Sequence, residues 1–153
     1  MLKGVRTQEV RFATWDEVDL EKSVWEISAE RMKMRRSHLM PLSAKVIGLF
    51  SQLKPITEHY PYIFIGRNNC SKPISKEGVS QVIELLCYKG RATDHGFRHI
   101  MSTVLHEQGF NSAWIEIQLA HVDKNAVRGT YNHAIYLENR RVMLQWYSDN
   151  LIT

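Results

Sequence analysis

The spacing of apolar residues constrains this chain more than any single residue does. From Ser43 onward they recur at helical intervals: Val46, Ile47, Phe50 and Leu53 share one face, Val79, Val82, Ile83 and Leu86 another, and Trp114, Ile115 and Leu119 a third. Side chains three and four apart lie above one another on a helix, so each stripe can leave water only if its segment is helical and rests on other apolar surface. Before Ser43 the spacing changes. Ser23–Ile27 and Leu39–Leu42 read as strands, and Val24 to Leu42 as a small antiparallel sheet whose central turn is strongly basic. The expected fold class is therefore α+β, mostly α with a small antiparallel β-sheet near the N-terminal end.

Local signals set the boundaries. Thr7–Phe12 reads as a short helix with Thr7 as its N-cap, followed by a turn over Trp15–Leu20. The helix from Ser43 is expected to stop before Pro55. Tyr60–Pro73 reads as a loop enclosing a short apolar piece, Tyr62-Ile63-Phe64-Ile65. Ser75 caps a helix that runs to near Gly90, and another runs from Asp94 or His95 to Gly109, a residue suited to the C′ position. Asn111-Ser112 opens a short helix, Asp123–Tyr131 reads as a further helical turn or two, and Tyr136–Leu151 as a last helix. That last helix carries Val142, Met143, Leu144, Trp146, Tyr147 and Leu151, more apolar surface than one buried stripe requires. Packing on its own domain is the first expectation and docking on a neighbouring subunit the second.

Composition narrows the class. The chain has 153 residues, 44% hydrophobic and 24% charged, which is one globular domain spanning 1–153 with a sizeable core. Its apolar runs fall far short of the roughly 20 residues that cross a bilayer. Met1–Arg6 lacks the apolar stretch of a signal peptide, so no membrane or secretory route is expected. Cys70 and Cys87 stand far apart with no CxxC motif and read as free thiols in a reducing cytoplasm. The formal charge of +4 suits a polyanionic partner without demanding one.

Taken singly, the chemically interesting residues have plain explanations. Arg6 reads as a surface arginine and Tyr131 as a half-buried aromatic. His121, after Leu119-Ala120, reads as a histidine at a helix C-terminus, where the dipole favours it. His95 and Arg98 stand at i, i+3 and so share a helical face, yet a capping histidine accounts for that too. Their order is another matter. An early Arg-x-x-Glu at Arg6 and Glu9, a lysine in a basic β-turn at Lys33, His-x-x-Arg at His95 and Arg98, Leu-Ala-His at His121 and a tyrosine ten residues later resemble the active-site signature of the tyrosine recombinase (phage integrase) family. Ala29–Ser43, Gly90–His106 and Asn111–Trp146 are similar to its bacteriophage P4-type branch almost throughout, so the resemblance covers nearly the whole chain.

The resemblance implies a mostly helical catalytic domain with a small three-stranded sheet, and site-specific DNA recombination or integration as its activity. It implies that Tyr131 attacks the scissile phosphate, forms a 3′-phosphotyrosyl link and frees a 5′-hydroxyl, conserving the bond energy with no metal, ATP or other cofactor. Arg6 and Arg98 then clamp the non-bridging oxygens, for which guanidinium forks are well shaped. Lys33 protonates the leaving oxygen, His95 accepts or shares the Tyr131 proton, and His121 donates a hydrogen bond to a non-bridging oxygen. Glu9 orients an arginine. Arg31, Arg35, Arg36, Lys124 and Arg128 are expected on flanking phosphates, positioning DNA without reading its sequence.

The implied partners are double-stranded DNA at attachment sites and further copies of the chain, as a tetramer on DNA, in the cytoplasm of a bacterium and at its nucleoid. Family members usually carry a DNA-binding part ahead of the catalytic domain. Here Arg6 sits almost at the start, so the expectation is an N-terminally truncated domain with weak, salt-sensitive DNA binding and an uncovered apolar patch. Three other readings compete: a catalytically silent DNA-binding remnant of a prophage integrase, a type IB topoisomerase, and a metal hydrolase built on the seven histidines. For the last, His95 and His99 have zinc-like spacing but no intervening glutamate base.

Overall fold

The computed structural model describes residues 4–32, 35–85, 93–121 and 136–150, without the side chains of Val79, Asp94 and His95. Three antiparallel strands, β1 (Val18–Asp19), β2 (Val24–Ile27) and β3 (His38–Pro41), lie in that order across one sheet. The described residues also form six helices: α1 (Thr7–Arg11), α2 (Ala44–Thr57), α3 (Lys76–Leu85), α4 (Asp94–Glu107), α5 (Ser112–Gln118) and α6 (Leu137–Asn150). The α+β class expected from the spacing is the class observed.

Alternation along β2 explains the sheet's role as a floor. Trp25 and Ile27 point into the core while Glu26 between them is exposed, and Trp25 sits opposite Met40 of β3. Ala13, Met32, Leu42, Val46, Phe50 and Ile63 complete this first core, so the helical stripe of α2 is buried against the sheet. A second core joins three helices through Met101 and Leu105 of α4, Ile115 of α5 with the following Leu119, and Met143, Leu144 and Tyr147 of α6.

Several boundaries differ from the sequence reading. Trp15–Leu20 is not a plain turn: Trp15–Glu17 forms a 3₁₀ turn and Val18–Asp19 pairs with β2 as the third strand. Two residues are too few for a visible alternation. Pro55 lies inside α2 rather than beyond it, in the exposed last turn, where losing one N–H costs a single hydrogen bond. Arg6, not Thr7, is the N-cap of α1, because Glu9 reaches back to accept the Arg6 backbone N–H at 2.8 Å. Thr93 caps α4 by accepting the Gly96 N–H at 2.9 Å, and Ser75 and Asn111 cap α3 and α5 as expected. The continuation of α3 toward Gly90, the turns at Asp123–Tyr131, Cys87 and Leu151 lie outside the described residues.

Helix α6 is seated mainly on its own domain, with Met143, Leu144 and Tyr147 buried; Val142 remains 67% exposed beside Trp146. A separate apolar groove of about 490 Å³ runs along α2, where Leu49 and Ile56 are 57% and 62% exposed. No helix among the described residues is long and apolar enough to cross a membrane.

The two cores are tied together by a buried cation. Arg140 of α6 is fully buried, yet burial lowers its guanidinium only to about 10, so it stays charged at neutral pH. Its Nε and Nη2 both donate to Gln118 Oε1 of α5, at 3.1 and 2.9 Å, and Nη2 also donates to the Leu39 carbonyl of β3 at 2.9 Å. Nη1 is buried with no partner. A buried charge that loses an acceptor keeps its full desolvation cost. Replacing Gln118 with leucine is therefore expected to destabilise the fold by about 2–4 kcal/mol, read as a lower urea midpoint at unchanged slope.

Candidate active site

The site is built around the C-terminal end of α5. Leu119 caps that helix, Ala120 follows with φ +48°, and the chain reverses so that the His121 and Ala120 N–H groups donate back to the Glu116 and Ile117 carbonyls, each at 3.0 Å. This is a Schellman closure, which usually places glycine where Ala120 stands. Helix α4 ends the same way with a glycine, Gly109 at φ +77°. The turn leaves the Leu119 and Ala120 carbonyls facing away from the helix, and both are taken by arginines.

Arg98, on the face of α4 turned toward α5, is only 7% exposed. Its Nη2 donates to the Leu119 carbonyl at 2.6 Å, and its Nη1 donates to the Gly4 carbonyl. Arg6 donates through Nη2 to the neighbouring Ala120 carbonyl at 3.2 Å, while its Nη1 meets Glu9 Oε1 at 3.0 Å. Glu9 is 4% exposed, so its carboxylate is a fixed strut rather than a solvated surface group. Burial first, and then the adjacent Arg6 charge, hold the Arg98 guanidinium below its ordinary pKa, with Glu9 opposing. Both arginines line one open cleft of about 260 Å³.

Gly4 completes the support. At φ +62° it brings its carbonyl to Arg98, and an added Cβ would lie 2.7 Å from Leu119 Cδ2 and 2.8 Å from Met101 Sδ. No side chain fits there without displacement.

His121 follows directly on this turn. Its ring is half exposed and its Nδ1 lies 2.8 Å from Glu116 Oε2. His95 belongs to the first turn of α4, one helical turn before Arg98, though its side chain is outside the described set. Lys33, Tyr131, Lys124 and Arg128 lie outside the described residues. The structure thus brings together Arg6, Arg98 and the backbone leading to His121, with Glu9 as their strut.

The basic turn divides. Arg35 and Arg36 are exposed, whereas Arg31 is turned inward, its Nη2 2.5 Å from Glu17 Oε2 and its Nε and Nη1 buried without partners. Glu17, at the end of the 3₁₀ turn, also accepts the Trp25 indole N–H at 3.2 Å, so the carboxylate that pairs with Arg31 is itself tied to β2. Among the described residues no three His, Cys, Asp or Glu side chains converge as metal ligands do.

Sequence reasoning passed over three contributors. Arg11 and Lys76 line the same cleft as the arginine pair, and Arg140 anchors α5 from behind through Gln118. Gln118 carried a readable signal. It interrupts the apolar stripe of Ile115 and Leu119 at a buried position, where an amide requires a polar partner.

Solved structures share this fold. The integrase of mycobacterium phage Brujita superimposes with a TM-score of 0.70 at 17% identity, over 94% of this chain and 47% of that one. The Tn1549 transposon integrase, solved in complex with circular intermediate DNA, gives 0.64 at 16% identity over 79% of this chain and 49% of that one. The chain shares its fold with these two integrases.

The relationship is closer in sequence. The integrase of Shigella phage Sf6 is 43% identical over 147 residues, 95% of this chain and 38% of that protein. That of Enterobacteria phage P4 is 36% identical over 167, covering 99% of this chain and again 38% of its own length. Residues 1–138 match the phage integrase family, and the chain belongs to that family. It spans about two fifths of the length of these curated relatives.

Two substitutions test the support. Ala120→Gly relieves the left-handed backbone and is expected to stabilise the fold by about 0.5–1 kcal/mol, seen as a higher melting temperature. Gly4→Ala meets both the steric and the φ penalty and is expected to cost about 2–4 kcal/mol, measured by urea unfolding.

Proposed function

We propose that this chain is the catalytic domain of a tyrosine site-specific recombinase, which cuts and rejoins duplex DNA through a covalent 3′-phosphotyrosyl intermediate. The observation that carries the reading is the arginine pair: two guanidiniums from distant parts of the chain, locked on consecutive carbonyls and opening into one cleft. Family membership supports it, as does the neighbour of the same fold that was solved with DNA.

In this mechanism the Tyr131 phenolic oxygen forms the new bond to phosphorus and the bond to the 5′-oxygen breaks. The phenolic proton passes to His95, and Lys33 supplies the proton that leaves with the 5′-oxygen. Charge grows on the two non-bridging oxygens of the five-coordinate phosphorus. Arg6 and Arg98 meet it without reorganising, because Glu9 and three backbone carbonyls already fix them. His121 adds a hydrogen bond to one of those oxygens. A 5′-hydroxyl from a partner strand reverses the sequence, so the chemistry needs neither ATP nor metal.

Arg35, Arg36, Lys124 and Arg128 contact flanking phosphates. Arg31 does so only by giving up Glu17, which makes it the weakest member of the group. The working assembly is a tetramer on attachment-site DNA, at the nucleoid of a bacterial cytoplasm.

The test is a nicked suicide duplex carrying the host's candidate attachment core, incubated with the protein in EDTA without ATP. An SDS-stable protein–DNA adduct is expected. Tyr131→Phe should abolish it, and Arg98→Lys should slow its formation by about 10²-fold or more. An adduct that persists in Tyr131→Phe removes Tyr131 as the nucleophile. DNA binding with no adduct from the unaltered chain favours the catalytically silent remnant.

A further inference from the structure

The cleft holds more charge than the arginine pair accounts for. Its lining consists of Val5, Arg6, Thr7, Gln8, Arg11, Lys76 and Arg98, which is four cations and no carboxylate. Arg11 stands in the last turn of α1 and Lys76 is the first residue of α3, two helices that pack on each other. Arg11 is held in place. Its Nε donates to the Ile74 carbonyl at 2.6 Å, and its guanidinium carbon lies over the Phe12 ring, 5.3 Å from the centroid. These contacts use Nε and one face of the group and leave both Nη nitrogens for another acceptor. Lys76 is exposed, and no ion pair engages it among the described residues. The neighbouring Glu77 feels both cations, but its carboxylate is turned to the Ser75 side chain and its own backbone at the start of α3.

Gathering like charges in one cleft raises the energy of the folded chain unless an anion relieves it. The cost is already visible at Arg98, which Arg6 pushes in the same direction as burial does. A single phosphate between Arg6 and Arg98 leaves the other two cations unrelieved. Successive phosphates of one DNA strand advance only about 3.4 Å along the helix axis, so a strand laid in the cleft presents a second anion close to the first.

We infer that Arg11 and Lys76 form a second phosphate subsite, holding the strand phosphate adjacent to the one clamped by Arg6 and Arg98. The inference rests on the reading that this cleft receives DNA. Arg11 supplies a fixed fork and Lys76 a mobile point charge, so the pair holds the strand in register without reading its bases.

The experiment is a salt titration of duplex binding by the 153-residue chain and its Arg11→Gln, Lys76→Gln and double variants. Losing one phosphate contact should lower the slope of log affinity against log salt by about 0.9, which is about eightfold in affinity for each tenfold dilution of salt. Each single variant should fall part of the way, and Arg11→Lys, which keeps the charge, should hold most of the slope. A second series replaces individual phosphates beside the scissile position with neutral methylphosphonates. The unaltered chain should weaken at one flanking position, and the double variant should show no further loss there.

An unchanged slope in the double variant overturns the proposal. So does a loss of affinity at unchanged slope, which marks a disturbance of the fold rather than of a phosphate contact. Should Arg11→Gln unfold, the exposed Lys76→Gln carries the same comparison. Failure of the recombinase reading shows elsewhere, as binding without a covalent adduct, and leaves the slope comparison intact.

Discussion

Two consecutive carbonyls at the end of one short helix hold the whole cleft together. Leu119 and Ala120 offer their oxygens to Arg98 and Arg6, and those arginines arrive from the middle of α4 and the start of α1. The Arg6 contact joins segments 114 residues apart in sequence, and the Arg98 contact joins neighbouring helices 21 residues apart. Charged donors on neutral acceptors make stronger hydrogen bonds than neutral pairs do, and burial of Arg98 raises the stakes further. The arginines are thus organised before any substrate arrives. For chemistry in which charge develops on phosphate oxygens, that prior order is where the advantage lies.

The support behind this turn is electrostatic as well. Helix α5 has only seven residues, too few to be stable alone, and it is held on its far side by the fully buried Arg140 through Gln118. A leucine pair would fill the same space at lower desolvation cost. The guanidinium offers something a leucine does not. It reaches α5 and the β3 backbone at once, and so fixes the distance between the helical core and the sheet.

How much of this was readable depended on whether the information sat in side chains. The α+β class followed from the switch from strand-like to helical spacing near Ser43, and Arg98 could be placed on a face with His95 by counting alone. The partners of the arginines could not be found that way, because a carbonyl oxygen carries no residue signature. Strand β1 was lost for a related reason: Val18–Asp19 is recruited by pairing with β2, not by its own pattern. Arg140, inside Asn139-Arg140-Arg141, looks like one more solvated charge until Gln118 is noticed at a buried position. For Arg31 the basic run is legible but the partner is not: its pairing with Glu17, fourteen residues earlier, has no signature in the spacing.

Because the acceptors at Leu119 and Ala120 belong to the backbone, the arginines depend on the shape of this turn and not on the chemistry of its side chains. The side chains answer to other demands: Leu119 is buried in the helical core beside Gly4, and residue 120 holds a left-handed torsion that few side chains take without strain. The requirement at 119 is therefore one of volume and at 120 one of angle. A substitution there, although it touches no charge, acts on the charged cleft through the backbone, so packing in the core and the aim of the arginines are one and the same property of the fold.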